Sequence, residues 1–111
     1  MKLVLAIVQD DDAADLIEEL NDKSFRVTKL ATTGGFLKSG NTTLMIGIEK
    51  EKVDEVIKVI ESVCKKRKEM IPTPTNTTMG NGAEMYMTYP IEIEVGGATV
   101  FVIDVDQFVK I

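Results

Sequence analysis

Three segments of the sequence are apolar at successive positions, so a strand built from any of them would be apolar on both faces. They are Leu3–Val8, Leu44–Ile48 and Val100–Ile103. Because the side chains of a strand alternate between the two faces of its sheet, such strands need cover on both sides. Only two other segments have helical periodicity, and two helices cover one face. We therefore predict that further copies of the chain bury the other face.

The two helical segments carry apolar residues at intervals of three and four. The first begins at Asp10-Asp11-Asp12, which supply an N-cap and acids for the first turn, and it ends near Asn21-Asp22. The second runs from about Lys52 to Lys66, where cations follow at its C-terminus. Its apolar positions are Val53, Val56, Ile57, Ile60, Val63 and Cys64.

The region after the second helix is rich in turn residues. Glu69 to Pro90 contains prolines, glycines and asparagines without periodicity, which predicts a long flexible loop. Ile91–Val95 alternates between apolar and acidic residues, Gly96-Gly97 is typical of a two-residue turn, and Thr99–Val105 is strand-like. These features predict a C-terminal hairpin.

Two strands are predicted between the helices: one from Phe25 to Ala31, and one from Thr42 to Ile48 that contains the apolar segment Leu44–Ile48. The order is then strand, helix, strand, strand, helix, long loop and hairpin. This order predicts an α+β fold of the ferredoxin-like βαββαβ type, with a long loop after the second helix. A length of 111 residues fits one domain spanning residues 1–111.

The composition argues against several classes of function. A net charge of −5 disfavours general nucleic-acid binding, and the absence of histidine removes the commonest general base and transition-metal ligand. The lone Cys64 has no histidine partner, and no apolar run approaches the ~20 residues that span a membrane. We expect no catalytic residue, metal or cofactor and no nucleic-acid or membrane partner. The opening apolar segment lacks the features of a signal sequence, so the expected location is the cytoplasm.

The segment Thr28–Thr43 combines hydroxyls, adjacent glycines and an amide around a Phe-Leu pair. Gly34 and Gly35 can expose backbone N–H groups to an anion, and Phe36 with Leu37 suits a purine face. Asn41 can both donate and accept a hydrogen bond, as recognition of an adenine edge or a phosphate requires. The alternative is a glycine-rich turn whose phenylalanine packs on the sheet.

The strand before this segment contributes side chains to one side. Arg26 and Thr28 share a face because strand side chains alternate, and Leu30 continues the same face. This apolar neighbour predicts that the face lies at a subunit interface.

The block Ala31–Leu37, followed by Gly40–Thr43, resembles the signature of the PII-like cyclic di-AMP receptor family. Further matches are Val8-Gln9-Asp10, Phe25-Arg26, Thr28-Lys29-Leu30 and Glu94–Phe101. The resemblance covers essentially the whole chain and is weakest in the Glu69–Pro90 loop.

The resemblance implies a homotrimer that binds cyclic di-AMP at its three subunit boundaries and acts on an unknown protein target. Phe36 and Leu37 would clamp an adenine, and Arg26, Thr28 and the glycine backbone would face the phosphates. The implied ligand-binding residues are Arg26, Thr28, Gly34, Gly35, Phe36, Leu37, Asn41, Gly47 and Phe101. Two positions depart from the family pattern, with Ser24 where an asparagine is expected and Lys110 where a polar amide is expected.

Three other functions remain open at this stage. A classical PII-type sensor of ATP and ADP carries its long loop between the second and third strands, where this chain has a short connection. A structural or metal-tolerance trimer of the same fold would need no nucleotide, and a small enzyme would need an acid–base pair that the sequence does not show. If the chain is a cyclic di-AMP receptor, the segment from Ile71 to Tyr89 is the expected switch.

Overall fold

The computed structural model describes residues 1–32, 40–78 and 84–111, and within them the side chains of residues 1–30, 40–70 and 90–111. The chain divides into two compact units. Met1–Lys65 and Gly96–Ile111 form the first, and Lys66–Val95 forms the second. The elements in chain order are β1 (Lys2–Gln9), α1 (Asp10–Asp22), β2 (Thr28–Thr32), β3 (Asn41–Ile48), a 3-10 turn (Lys50–Lys52), α2 (Val53–Cys64), β4 (Arg67–Thr78), β5 (Glu84–Val95) and β6 (Ala98–Asp104).

The first unit is a four-stranded antiparallel sheet with the strand order β2-β3-β1-β6. The central strand β1 pairs with β3 from Lys2 opposite Ile48 to Gln9 opposite Asn41, and its other edge pairs with β6. Two helices cross over between these strands, which is the ferredoxin-like arrangement. The predicted α+β fold class is confirmed.

The core lies on the face of this sheet that the helices cover. The even-numbered residues of β3, and those of β1 from Val4 onward, point to this face and are buried, because their helix-side neighbours exclude water. α1 and α2 contribute the other half through the apolar positions that the periodicity predicts. The largest apolar side chains of this cluster include Val4, Val8, Leu44, Ile46, Leu16, Leu20, Val56 and Ile60.

The opposite face of the sheet carries no helix in the described part of the chain, and we call it the open face. The register aligns its side chains in rows across the strands. One row is Thr28, Met45, Leu5 and Phe101, and the next is Gly47, Leu3 and Ile103. Phe101 is 52% exposed and Ile103 is 43% exposed. The predicted apolar face without helical cover is therefore present.

The second unit is a two-stranded antiparallel sheet of β4 and β5, in which Arg67 pairs with Val95 and Thr78 pairs with Glu84. The end of this sheet at which side chains are described carries exposed ion pairs. Lys68 Nζ lies 3.2 Å from a carboxylate oxygen of Glu92, and Lys66 Nζ lies 3.7 Å from one of Glu94. Exposed pairs of this kind contribute only about 0–1 kcal/mol each.

The structure corrects the interpretation of Glu69–Pro90 as an irregular loop, because most of this segment forms the paired strands β4 and β5. The prolines obscured this pattern. Pro72 is opposite Pro90, and this pair exchanges no N–H···O bonds because neither residue has an N–H. Pro74 lies two residues further along β4, and its pair is of the same type because the two pair types alternate along the ladder. Proline is tolerated at such positions because its missing N–H would point away from the partner strand. The predicted flexibility of the segment stays a prediction.

The prediction of a C-terminal hairpin is also wrong. β5 pairs with β4, whereas β6 pairs with β1, so Gly96-Gly97 joins two different sheets. Both glycines have positive φ, 89° and 96°, a region that side chains disfavour. The glycine pair does mark a sharp change of direction, but it does not determine which strands pair.

The helices match their predicted positions with small changes at the ends. The N-cap of α1 is Gln9, not an aspartate, and the three aspartates occupy the first turn. Asp10 is held there by the Thr42 hydroxyl, which donates to Asp10 Oδ1 over 2.6 Å. α2 ends at Cys64, and Arg67 and Lys68 belong to β4.

Candidate ligand-binding site

A cavity of about 660 Å³ opens on the open face of the first unit. It lies where β2, β3 and β1 run side by side and the C-terminal residues return to the sheet. Its lining residues are Met1, Leu3, Arg26, Thr28, Met45, Gly47, Val105, Phe108 and Lys110.

The strand register explains why these side chains meet. Thr28 of β2 is opposite Met45 of β3, and Gly47, two residues further along β3, is opposite Leu3 of β1. Residues two apart on a strand point to the same face, so all four border the same space. Arg26 precedes β2 by two residues and lines the cavity with Thr28, as the alternation predicted.

Gly47 leaves this part of the wall without a side chain. A Cβ placed on it would meet only the Met1 Cε atom, at 3.8 Å, which is ordinary van der Waals contact. The fold of the single chain therefore does not require glycine at this position. A glycine that the fold does not need, on the wall of a cavity, is consistent with close approach of a ligand or a second subunit to the backbone.

The charge of the lining is cationic. Arg26 and Lys110 are the charged residues among those that line the cavity, and no carboxylate accompanies them in that described set. Both side chains are exposed, so each can donate to an anion without first breaking a buried arrangement. Arginine binds phosphate oxygens with two parallel hydrogen bonds, and lysine acts as a point charge.

The end of the chain is fixed near the cavity by contacts at the start of β1 and the end of β6. The Val105 N–H donates to the Met1 carbonyl over 3.2 Å, and Lys2 Nζ forms an ion pair with Asp104 Oδ1. The hydrogen bond and positive charge of Lys2 hold the pKa of Asp104 below its usual value. These contacts hold the following residues, including Phe108 and Lys110, beside the sheet.

Sequence reasoning did not predict that the C-terminal residues line the cavity. Phe108 is 63% exposed although it is a large aromatic residue, and it follows the last strand outside any regular element. The only signal was the apolar pair Phe108-Val109 in a tail that no periodicity assigned. In the sequence, Lys110 differs from the family pattern but carries no signal that places it in a site.

The remaining predicted site residues lie elsewhere or outside the described residues. Asn41 begins β3 opposite Gln9, six residues from Gly47 and so about 20 Å away along the strand. Phe101 is on the open face of β6, three strands from Thr28, or about 14 Å at the usual strand spacing. The residues outside the described part are Gly34, Gly35, Phe36 and Leu37. Of the set, Arg26, Thr28 and Gly47 line one cavity.

Leu30 does not continue the Arg26–Thr28 face by simple alternation. The register between β2 and β3 shifts between Lys29 and Ala31, which interrupts the period of two. Leu30 itself is 50% exposed. The bulge removes the simple alternation behind the prediction for Leu30, so its place on the face of Arg26 and Thr28 stays a prediction.

Other groups that the sequence raised form no second site in the described residues. Cys64 is buried at the end of α2, beside a smaller cavity of about 220 Å³ that Ile57 and Val100 also line. The described residues contain no cluster of three or more metal-ligating side chains. No described helix is long and apolar enough to cross a membrane.

Comparison with known proteins connects this geometry to a family. The model of the cyclic-di-AMP receptor family matches residues 1–111. The chain belongs to the cyclic-di-AMP receptor family. This is a family of receptors, which agrees with a binding protein, and the resemblance carried by the Thr-Thr-Gly-Gly-Phe block is confirmed.

A solved relative supports the same fold. The crystal structure of a functionally unknown protein from Pediococcus pentosaceus ATCC 25745 superimposes with a TM-score of 0.76 at 49% sequence identity. The match covers 99% of this chain and 96% of that chain. The two chains therefore share this fold over nearly their whole length.

Proposed function

We propose that the protein is a cytoplasmic receptor that binds cyclic di-AMP between the subunits of a homotrimer and so controls a protein partner. The observation that carries this proposal is one cavity that brings together Arg26, Thr28 and Gly47, in a chain of the cyclic-di-AMP receptor family. Binding is the whole of the proposed activity, and no chemical step or cofactor is needed.

The chemistry of the cavity suits this messenger. Cyclic di-AMP has two phosphodiester groups with one negative charge each, and the lining supplies two cations, Arg26 and Lys110. The Thr28 hydroxyl adds a hydrogen-bonding group next to these charges. Met45 and Phe108 supply apolar surface for a base.

The arrangement of the predicted contacts favours a long ligand. Gly47, Met45 and Asn41 all point to the open face of β3, because their positions differ by even numbers. This line of about 20 Å is longer than one base needs and suits two bases joined through phosphates. The Phe36-Leu37 pair stays the proposed clamp for one adenine.

The open face supports the proposal that the site lies at a subunit boundary. Leu5, Phe101 and Ile103 are apolar side chains on this face, and the last two are about half exposed. A second subunit over this face would bury them and also close the cavity beside them. The homotrimer with three such sites is what the family resemblance implies.

We further propose that the segment Ile71–Tyr89 transmits the signal to the partner. In the described part of this segment β4 and β5 pair along their length, so the proposed change acts on a hairpin. Hydrogen exchange of peptides from this segment should change when cyclic di-AMP is added. Identical exchange with and without ligand would remove this part of the proposal.

The proposed function is tested by titration calorimetry combined with light scattering. Cyclic di-AMP should bind once per subunit to a particle of three times the chain mass, while ATP, ADP and cyclic di-GMP should give much weaker heats. Arg26→Ala should weaken binding by about 10- to 100-fold, because hydrogen bonds to charged groups are lost.

Arg67→Ala is the matched control, because Arg67 belongs to β4 and does not line the cavity. It should bind as the unaltered protein does. No heat with cyclic di-AMP at tens of micromolar protein would contradict the proposed ligand. Tight binding of ATP or ADP instead would favour the classical PII-type sensor.

A further inference from the structure

The side chain of Gln9 makes a long-range hydrogen bond in place of the capping bond expected at its position. Gln9 is the N-cap of α1, where a side-chain oxygen ordinarily accepts from an N–H of the first turn. Gln9 makes no such capping bond. Its Oε1 atom instead accepts a hydrogen bond of 2.7 Å from the N–H of Gly96, 87 residues later in the chain.

Gly96 and Gly97 are the two residues through which the chain passes from β5 to β6. Both have positive φ, so this passage depends on glycine. The two successive N–H groups are held by different parts of the first unit. Gly96 donates to the Gln9 side chain, and Gly97 donates to the Cys64 carbonyl at the end of α2. The Gly96-Gly97 turn is thus held within the first unit by one side chain and one carbonyl.

Gln9 also neighbours a predicted ligand contact. It is the cross-strand partner of Asn41 at the end of β1 and β3. Cβ atoms of directly opposed residues lie about 5 Å apart in antiparallel sheets, so a shift of one side chain changes the space of the other. The next residues, Asp10 and Thr42, are joined by a hydrogen bond of 2.6 Å, which holds this end of the two strands together.

We propose that Gln9 is a positioning residue that couples ligand contact at Asn41 to the β4–β5 hairpin through its hydrogen bond to Gly96. The inference rests on the proposed function, because it takes Asn41 as a contact of cyclic di-AMP. It adds the route by which the ligand acts on the hairpin. A ligand that draws Asn41 toward itself changes the packing of Gln9, and the Gly96 N–H loses its acceptor.

The test uses the full-length chain with Gln9→Met, which keeps the length of the side chain and removes the acceptor. In the free protein, hydrogen exchange at the Gly96 amide should become faster by about five- to tenfold, the effect of losing one hydrogen bond. Cyclic di-AMP should still bind within a few-fold of its original affinity. The ligand-dependent change of exchange in residues 66–95 should disappear.

Two further variants separate coupling from simple damage to the fold. Gln9→Glu keeps an acceptor oxygen and should restore the ligand-dependent change. Gln107→Met makes the same substitution at an exposed glutamine that does not line the cavity, and it should behave as the unaltered protein does.

The outcomes distinguish the coupling from the proposed function. If Gln9→Met binds cyclic di-AMP and the hairpin still responds to it, the coupling is refuted and the receptor function stands. Failure of the unaltered protein to bind cyclic di-AMP overturns both. Thermal melting measured by circular dichroism shows which variants are folded, and loss of the response in a folded Gln9→Glu protein, which keeps the acceptor, would also count against the coupling.

Discussion

Substitution of Gly47 should affect ligand binding and the stability of the fold in opposite ways, so the two requirements can be measured separately. A Cβ at this position meets only the flexible end of Met1, at 3.8 Å, so alanine fits without displacement of the backbone. Glycine inside a strand is less favourable than alanine by about 0.5–1 kcal/mol. We therefore predict that Gly47→Ala leaves the free energy of unfolding unchanged or raises it by about that amount.

The same methyl group should obstruct the ligand. It projects from β3 to the open face and enters the cavity beside Arg26 and Thr28. Extra atoms in a closely packed contact typically cost about 1–3 kcal/mol, which corresponds to a loss of affinity of roughly 5- to 150-fold. The Gly47→Val protein should also fold, because β-branched residues favour strands. It should bind cyclic di-AMP more weakly than the Gly47→Ala protein does.

Urea unfolding and titration calorimetry with cyclic di-AMP measure the two effects on the same protein. Light scattering confirms that the mass of the particle is unchanged, which excludes loss of assembly as the cause of weak binding. If Gly47→Ala and Gly47→Val bind cyclic di-AMP as tightly as the unaltered protein, the ligand does not approach this wall and the placement of the site is wrong.

Three further predictions address the oligomer, the core and the charge at the sheet edge. Leu5→Asp places a charge in the middle of the open face and should give a particle of single-chain mass by light scattering, and an unchanged mass would contradict burial of this face. Ile60→Ala, at a side chain 2% exposed in the core, should lower the free energy of unfolding in urea by about 2–5 kcal/mol, and a loss well below that range would contradict the packing described. The pKa of Asp104 is lowered from 3.8 by Lys2, so its contribution to stability is present above pH 3.8 and is lost as the pH falls through the lower folded value. Asp104→Asn should remove this part of the pH dependence of thermal melting below pH 4, and an identical profile would show that the pair contributes nothing.

The sequence predicts the layered part of the fold well because burial determines it. Val4 and Leu44 are buried and belong to segments whose pattern predicts strands, while Leu16 and Ile60 repeat at helical intervals and are buried against them. These signals are local. Each depends on only a few successive residues, and the two helices and three core strands follow from them.

The pairing of strands that are distant in the chain does not follow from local patterns, and here the prediction from the sequence was wrong. The sequence of Ile91–Val95 and Gly96-Gly97 predicts that β5 pairs with β6. In the structure β5 pairs with β4, a segment that its prolines made look like a loop. A turn signal specifies a change of direction and carries no information about which strand lies alongside.

The residues of the candidate site likewise include some that local patterns predict and some that only a long-range contact brings in. Arg26 and Thr28 came together in the cavity because a period of two is reliable over a short distance. The contribution of Phe108 and Lys110 depends on a tail that returns to the sheet through the contact of Val105 with Met1. No repeating pattern encodes a contact between the two ends of a chain, so the sequence could not show it.

The prolines of the β4–β5 hairpin have one more effect. A ribbon of two strands has two unprotected borders, each of which can template an additional strand from another molecule. Pro72 and Pro74 remove hydrogen-bond donors from one border, and Pro90 removes one from the other. Growth into a wider sheet is thus blocked on both sides. The hairpin can therefore remain a narrow ribbon without acting as a template for aggregation.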